Sequence, residues 1–542
     1  MYRKNEEIIM TTITANSNSK KSYTKIDAAG DAQITVTDGN FKIYGGSGND
    51  TITLGTGDSI VYAQAGTNTI TAGTGTDKFY SGRGSDNYVF DNNFGHDYVY
   101  NSTSNDMITF GDSFDDVEFT YLRKGNNLVI TDNVDTQQNT VVLSKYFKSK
   151  SKLNNVTHDG QIEKISDQLI YYSGIGKIKG TNFNDGLVGS NKKDTIYGYK
   201  GNDYLLGGEA NDKIYSGQGN NSIVLNNGDG HDILYVDKKA TSNTLMFDLG
   251  NELSYEKSGK DLIVSAKAAN AEDNNPENVS VTIKNYFTKY GETAIKSEIN
   301  VQYVGTETPK NIIQDLTAYG VTITGKTNKS NTIYGAEEYD NYITGGDKAD
   351  KIHAGDMNNT IYGGKGNDKY YVESDNKTVL AKIFDTEGND TYFVDSLDTS
   401  VYINDSIGDK DVLKIADKSK YTLFFDVVVS DTVTQYDSLF IVDNDNLQDA
   451  SYKTYTAGGI EIANFFNGSK YGEGRIETIK ADGKTVDTTL NYFDNIRSNV
   501  VAWLSQEAHT YASAMEALQS DNPDDIKSLI AVYQGGNVAQ IS

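Results

Sequence analysis

A period of nine governs this chain. In a frame begun at Asp27 and held to Val89, the fourth position of all seven units is glycine: Gly30, Gly39, Gly48, Gly57, Gly66, Gly75 and Gly84. The eighth is always apolar or aromatic: Ile34, Ile43, Ile52, Val61, Ile70, Phe79 and Tyr88. The sixth reads Ala32, Phe41, Asp50, Ser59, Asn68, Asp77 and Asp86, so acidic character builds along the run. A second run fills Gly180–Val224, with Asp185, Asp194, Asp203, Asp212 and Asn221 at the sixth position and Leu187, Ile196, Leu205, Ile214 and Ile223 at the eighth. A third covers Gly345–Tyr371, with Asp350, Asn359 and Asp368 at the sixth and Ile352, Ile361 and Tyr370 at the eighth. Two looser units, SNTIYG and YDNYITGG, lead into it. Such self-similarity specifies a stacked solenoid.

One unit can be read from its residue types. Glycines at the first, second and fourth positions let the backbone turn tightly. The last three residues, as in Thr51–Ile52–Thr53, form a short strand whose middle side chain points away from its neighbours. Two units make one coil, so residues eighteen apart stack. Asp50, Asn68 and Asp86 then share a column, with Asp77 opposite. Asp185, Asp203 and Asn221 share another, with Asp194 and Asp212 opposite, and Asp350 stacks on Asp368. One apolar side chain per nine ordered residues is a thin core, and columns of like charge weaken it further. A hard divalent cation between turns answers both problems, bound by carboxylates and by carbonyls of the glycine turns. The candidate ligands are Gly46, Gly48, Asp50, Asn68, Gly73, Gly75, Asp77, Gly82, Gly84 and Asp86 in the first array. In the second they are Asp185, Asp194, Gly201, Asp203, Asp212, Gly219 and Asn221, and in the third Asp350, Gly366 and Asp368. Asp97, Asp232 and Asp390, just past each run, extend the set. Ser59, Gln64, Phe183 and Lys192 depart from the pattern, and the first two units, lacking a sixth-position carboxylate, are expected to be metal-free. Sharing between stacked sites ranks Asp203 above Asp350 in importance.

The units GGSGNDTIT, AGTGTDKFY, SGRGSDNYV, GYKGNDYLL, GGEANDKIY and GGKGNDKYY resemble the repeats-in-toxin (RTX, haemolysin-type) nonapeptide. The resemblance implies a parallel β-roll holding several Ca2+ in its turns, and export through a type I secretion apparatus. It places the protein outside the cell, secreted or associated with a cell surface.

The material between arrays repeats as well. FGHDYVY, NNLVI and SKYF follow the first array; DGHDILY, KDLIV and KNYF the second; EGNDTYF, DSLFIV and ANFF the third. Their apolar alternation marks strands or hairpins that cap each roll. The fold expected is therefore all-β: three parallel β-roll arrays, each with a β-hairpin cap, and a short C-terminal helical hairpin. The divisions are 1–26 as a lead-in, 27–150, 151–290 and 291–490 as roll-plus-cap cassettes, and 491–542 as a helical segment. That segment carries Trp503, Leu504, Tyr511, Met515 and Leu518 at helical spacing, then a second start at Asp521–Asn522–Pro523. It is a candidate uncleaved export signal.

With 75 acidic against 49 basic residues the net charge is −26, which disfavours nucleic acid and anionic membrane surfaces as partners. Zero cysteine excludes disulfides, thiolate metal sites and cysteine nucleophiles. The N-terminal residues hold no signal-peptide apolar run, and no stretch is long and apolar enough to insert in a membrane. GVTITGKT (320–327) fits the phosphate-loop pattern but lacks its strand-to-helix setting. None of the five histidines forms H-E-x-x-H; His96 and His231 sit in matching G-H-D turns where the third cassette has Asn389. Carboxylates are too dense for an acid/base pair to stand out.

These readings favour a non-enzymatic, calcium-loaded structural or adhesive protein of a surface layer or matrix. Its partners would be calcium, the exporter, and cell-surface glycans or further copies of itself. Two alternatives stay open. One is a calcium-dependent polysaccharide-active enzyme using the roll face or the third cap (395–466). The other is an accessory or secretion module of a larger RTX toxin system.

Overall fold

Each unit ends in a strand, and strands eighteen residues apart pair in parallel. In the computed structural model Gln33, Thr51 and Thr69 lie in register on one side of the coil. Lys42, Ile60 and Lys78 lie in register on the other. The structure describes residues 11–15, 24–27 and 30–487, apart from 92, 115, 133–138, 150–151, 227, 249–252, 267–278, 304–307, 375–377, 407–409, 417–420, 430–433, 444–457, 464, 466–475 and 482–483, together with 533–534 and 537–538. It divides into two compact units, Met1–Met246 and Phe247–Ser542.

In the first unit, one sheet stacks Ala32–Val36, Thr51–Thr53, Ala65–Thr71, Arg83–Phe90 and Met107–Phe110. The facing sheet stacks Phe41–Tyr44, Ile60–Tyr62, Lys78–Tyr80 and His96–Tyr100. The solenoid starts earlier than the glycine period does: Thr11–Ala15 and Thr24–Asp27 already pair in parallel with Ala32–Val36 and Phe41–Tyr44. The core is two columns of eighth-position side chains. Ile34, Ile52, Ile70 and Tyr88 form one, and Ile43, Val61 and Phe79 the other, all essentially inaccessible to water. Parallel in-register pairing also stacks identical residues outside the core. Tyr44, Tyr62, Tyr80 and Tyr100 form a ladder with ring centroids 4.7–4.8 Å apart, the strand spacing itself. Tyr197, Tyr215 and Tyr235 repeat it.

Past the first array the coil lengthens from eighteen residues to twenty, pairing Lys78 with Tyr98 and Asn87 with Met107. The cap then continues the sheet. Thr140–Leu143 pairs in parallel with His96–Tyr100, and the antiparallel strands Asn127–Asp132 and Phe119–Lys124 follow. The outer strand is not a terminus. It pairs in parallel with Ile170–Ser173, which pairs with Asp185–Val188 and so opens the second array. The second unit uses the same device. Leu253–Ser258, Asp261–Ala266 and Val279–Ile283 form the antiparallel trio, and Glu256 pairs with Thr322 where the third array begins. A third trio, Tyr421–Val429, Thr434–Asp443 and Gly459–Ala463, adjoins Ser400–Asp405. The cap motifs supply its buried residues, among them Leu128, Ile130, Leu262, Val264, Leu439 and Ile441.

One helix, Ile312–Tyr319, went unread in the sequence. Asn311 caps it by accepting from the Ile313 amide, and Ile312 and Leu316 are its buried face. It ends before the phosphate-loop-like segment. Val321–Thr324 is a roll strand, and Lys326–Thr327 run into a turn that leads to Thr332–Tyr334. The two C-terminal helices read from sequence lie outside the described residues. Tyr533–Gln534 and Asn537–Val538, which are described, form a small antiparallel pair.

Glycine answers two needs in the turns. At the fourth position the backbone takes positive φ, +139° at Gly84, and a Cβ there would fall on the Gly66 carbonyl. At the second position Gly73 and Gly82 have ordinary φ but abut the Gly55 and Gln64 carbonyls. Replacing Gly84 with alanine should therefore destabilise the first array by about 2–3 kcal/mol or more. Gly125, at a cap hairpin with φ +64° but nothing within 4 Å of its Cβ position, should lose only about 1–2 kcal/mol, the cost of a left-handed alanine. Denaturant melts of the two variants give the comparison.

Candidate metal centre

The sixth-position side chains turn into the coil and become a hydrogen-bonded ladder. Asp50 Oδ1 accepts the Ala32 amide, Asn68 Oδ1 the Asp50 amide, and Asp77 Oδ1 the Ser59 amide, at 2.7–2.9 Å. In the second array Asp203 accepts from Asp185, Asp212 from Asp194, and Asn221 from Asp203. In the third, Asp368 accepts from Asp350. Asp97, Asp232 and Asp390 join the same columns, accepting from Asp77, Asp212 and Asp368. The stacking read from sequence is thus reproduced residue by residue. It also explains the exceptions: Asn68, Asn221, Asn359 and Ser59 all carry an oxygen that can accept. Ser59 Oγ takes the Phe41 amide at 3.4 Å.

The second carboxylate oxygen is where the turns differ. Oδ2 of Asp50, Asp97, Asp203, Asp212, Asp232, Asp350 and Asp390 is buried and accepts no hydrogen bond among the described residues. A buried carboxylate oxygen left so is costly. Those of Asp50, Asp203, Asp212, Asp232, Asp350 and Asp390 lie near other oxygens. A Cβ built on Gly45 would lie 2.5 Å from Asp50 Oδ2 and 2.7 Å from the Ala63 carbonyl oxygen. One on Gly207 would lie 2.5 Å from Asp212 Oδ2 and 3.1 Å from Asp232 Oδ2. First-position glycine therefore leaves open the space on which acidic and carbonyl oxygens converge. That all-oxygen, anionic, water-excluded set fits a calcium ion.

Other turns close on themselves. Thr181 Oγ1 and its amide bond to Asp185, and Ser190 does the same for Asp194. These same hydroxyls accept the Phe183 and Lys192 amides, just where the fourth-position glycine is missing. Asn68, whose oxygen is committed to Asp50, donates through Nδ2 to the Ala63 carbonyl and to Asp86 Oδ1. Asn341 covers the Ala336 and Tyr339 carbonyls in the same way. An amide nitrogen stands there in the place a cation would take. Asp77 is intermediate, its Oδ2 receiving one long bond of 3.3 Å from the Gly73 amide, whereas Asp86 Oδ2 takes the Ser81 hydroxyl at 3.1 Å as well as the Gly82 amide at 3.4 Å. Of the glycines named as carbonyl ligands, Gly46, Gly48, Gly73, Gly75, Gly82, Gly201 and Gly366 lie in turns between these strands, whereas Gly84 and Gly219 stand at the starts of Arg83–Phe90 and Gly219–Leu225. Gly48, Gly75, Gly84, Gly201 and Gly219 are each pressed against the coil before.

The family model of the RTX calcium-binding nonapeptide repeat matches residues 28–61, 55–88, 179–214, 188–223, 197–234 and 335–370. The chain carries RTX repeats. They fall on the three arrays, and the last match, 335–370, takes in the looser unit YDNYITGG but only the final glycine of SNTIYG. RTX repeats bind calcium, and this number of copies implies several ions. No curated protein matches the chain. The caps lie outside the matched segments, as do Asp97 and Asp390, whereas Asp232 falls within the match to 197–234.

Without the ion, burial pushes these carboxyls up: Asp77 to about 7, Asp203 to about 8 and Asp232 to about 8. Asp97 is pushed to about 9, by burial first and then by the charge of Asp77. A carboxyl whose folded pKa is raised favours the folded state when protonated. That stability is fully present below the unfolded value of about 3.9 and is lost as pH rises through about 7–9. Metal-stripped protein should therefore gain β structure on acidification and lose it toward alkaline pH. With calcium the order reverses, because protons compete with the ion. Circular dichroism across this range, with and without calcium, reads both limbs.

His96 and His231 begin matching strands. His96 Nδ1 lies 2.8 Å from Thr140 Oγ1, and the His231 amide donates to Asn211 Oδ1, so both are tied to neighbouring coils. His353 stacks between Tyr334 and Tyr371 as a rung of an aromatic ladder.

Proposed function

We propose that this protein is exported unfolded and folds outside the cell on calcium, as a non-enzymatic structural or adhesive element of a cell surface or matrix. The observation that carries the reading is the series of buried Oδ2 atoms with no hydrogen-bond donor, facing oxygens across first-position glycines. In calcium-poor cytosol these charges oppose coil formation and keep the chain fit for threading through a type I exporter. Outside, affinities on the order of 10⁻⁴–10⁻³ M suffice, and binding free energy becomes folding free energy. The ions sit at Asp50, Asp97, Asp203, Asp212, Asp232, Asp350 and Asp390, with Asp77, Asp86 and Asp368 completing neighbouring turns. The turns of Asn68, Asp185 and Asp194 hold without one.

The columns of stacked tyrosine edges and the acidic surface suit a repetitive scaffold that meets glycans or further copies of itself. Localisation of native protein with metal analysis tests this. Surface-associated protein carrying several calcium ions is expected, with no turnover of acidic polysaccharides. Intracellular, calcium-free protein would end the reading.

A further inference from the structure

The carboxylate column does not stop where the nonapeptides stop. Beyond Tyr371 the coil runs on at 22 and 21 residues per turn, through Lys369–Val372, Thr391–Val394 and Val412–Ile415. The facing sheet runs through Leu380–Asp385 and Ser400–Asp405. The ladder continues with it. Asp390 Oδ1 accepts the Asp368 amide at 2.6 Å, Asp411 Oδ1 the Asp390 amide at 2.7 Å, and Glu477 Oε2 the Asp411 amide at 2.7 Å. Here, unlike in the arrays, the facing sheet adds carboxylates of its own, because Asp385 and Asp405 end their strands.

The result is two groups of three buried carboxylates, Asp368–Asp385–Asp390 and Asp390–Asp405–Asp411. Within each, one oxygen per residue lies within 4.8 Å of the others. We infer that this stretch is a pair of adjacent calcium sites bridged by Asp390, reaching from the last repeat, which supplies Asp368, into the coils beyond it and drawing ligands from both sheets.

An independent observation points to a ligand there. Asp390 is wholly buried, and its Oδ2 accepts no hydrogen bond among the described residues although it lies between both groups. The surroundings hold the other carboxylates toward the same space. Tyr370 Oη donates to Asp385 Oδ2, and Tyr392 Oη to Asp405 Oδ2 at 2.7 Å. Thr386 and Glu387 amides fix Asp385 Oδ1. A Cβ on Gly363 would meet the Tyr370 hydroxyl first, then Asp385 Oδ2 at 2.6 Å and Asp368 Oδ2 at 2.8 Å, so glycine there lets that hydroxyl and both carboxylates share one space.

The donors are all hard oxygens, and with none more than 4.8 Å from another in its group one ion at the Ca–O distance of about 2.3–2.6 Å can reach all three. Two divalent ions leave a single net negative charge on five carboxylates. The competing arrangement is a proton-sharing network without metal. Function follows from position: the sites fasten the last described coil to the third cap, where the nonapeptide turns no longer supply ligands. This deepens the calcium-folding reading and rests on it only for the identity of the ion.

The test is the number of calcium ions bound by the full chain, stripped of metal and then equilibrated with calcium alone. Asp390→Asn keeps an acceptor for the Asp368 amide, as the ladder's natural asparagines do, and should lose two ions. Asp385→Asn and Asp405→Asn should lose one each. If Asp390→Asn loses more because its array loosens, the two outer variants decide. Unchanged counts in both would overturn the paired site in favour of shared protons, while leaving calcium in the arrays untouched. A wild-type chain that binds no calcium would instead overturn the proposed function.

Discussion

Removing calcium at mildly alkaline pH is expected to abolish most of the far-ultraviolet β signal, and restoring it to bring the signal back along a steep curve. The magnitude follows from the ladder. Seven turns place an ionisable Oδ2 atom with no donor among the described residues in a space closed to water, and an unpaired buried charge is among the costliest features a fold can carry. The apolar columns offer two side chains per coil against this. One ion at a hundred times its dissociation constant contributes about 2.7 kcal/mol. Several ions acting on stacked neighbours make the difference between coil and chain, and nearest-neighbour coupling makes the transition cooperative. A well-formed β spectrum persisting in chelator would contradict the mechanism.

The largest single-residue effect is expected at Asp212. Its Oδ1 accepts the Asp194 amide at 2.6 Å and its own amide donates to Asp232 Oδ1 at 2.8 Å. Its Oδ2 and that of Asp232, both without donors, converge at Gly207. Asp212→Ala leaves a buried amide without an acceptor, a cost of about 1–3 kcal/mol, and also removes a cation ligand shared with the next coil. Asp212→Asn separates the two roles. It should preserve the ladder, and in chelator be no less stable than wild type, while still losing calcium. Thermal melts with and without calcium distinguish the pair, and identical behaviour of the two variants would refute the division of labour between the oxygens. The sequence ranking of Asp203 over Asp350 does not carry through on this basis. Each has one donorless oxygen and an asparagine beside it in its column, Asn221 and Asn331, so the two should cost about the same.

The glycine and apolar periods dictated the stacked coil, its eighteen-residue repeat and the columns of stacked side chains, while the parallel β-roll was what the resemblance to RTX repeats implied. A repeat that short leaves few other ways to bury its one apolar residue. The caps were legible for a similar reason: NNLVI, KDLIV and DSLFIV alternate as a strand with one buried face must. What each turn does with its second oxygen was decided only in three dimensions. Thr181 and Ser190 seal their own turns through bonds only four residues long, and Asn68 takes the place of a cation by reaching Ala63 in its own turn and Asp86 one coil on, choices that the nine-residue pattern does not encode. The same holds for Asp385, Asp405 and Asp411. They belong to no nonapeptide and share no spacing with Asp390. Only the meeting of two sheets in one coil, whose length is set by backbone pairing rather than by the repeat, brings their oxygens to a common point.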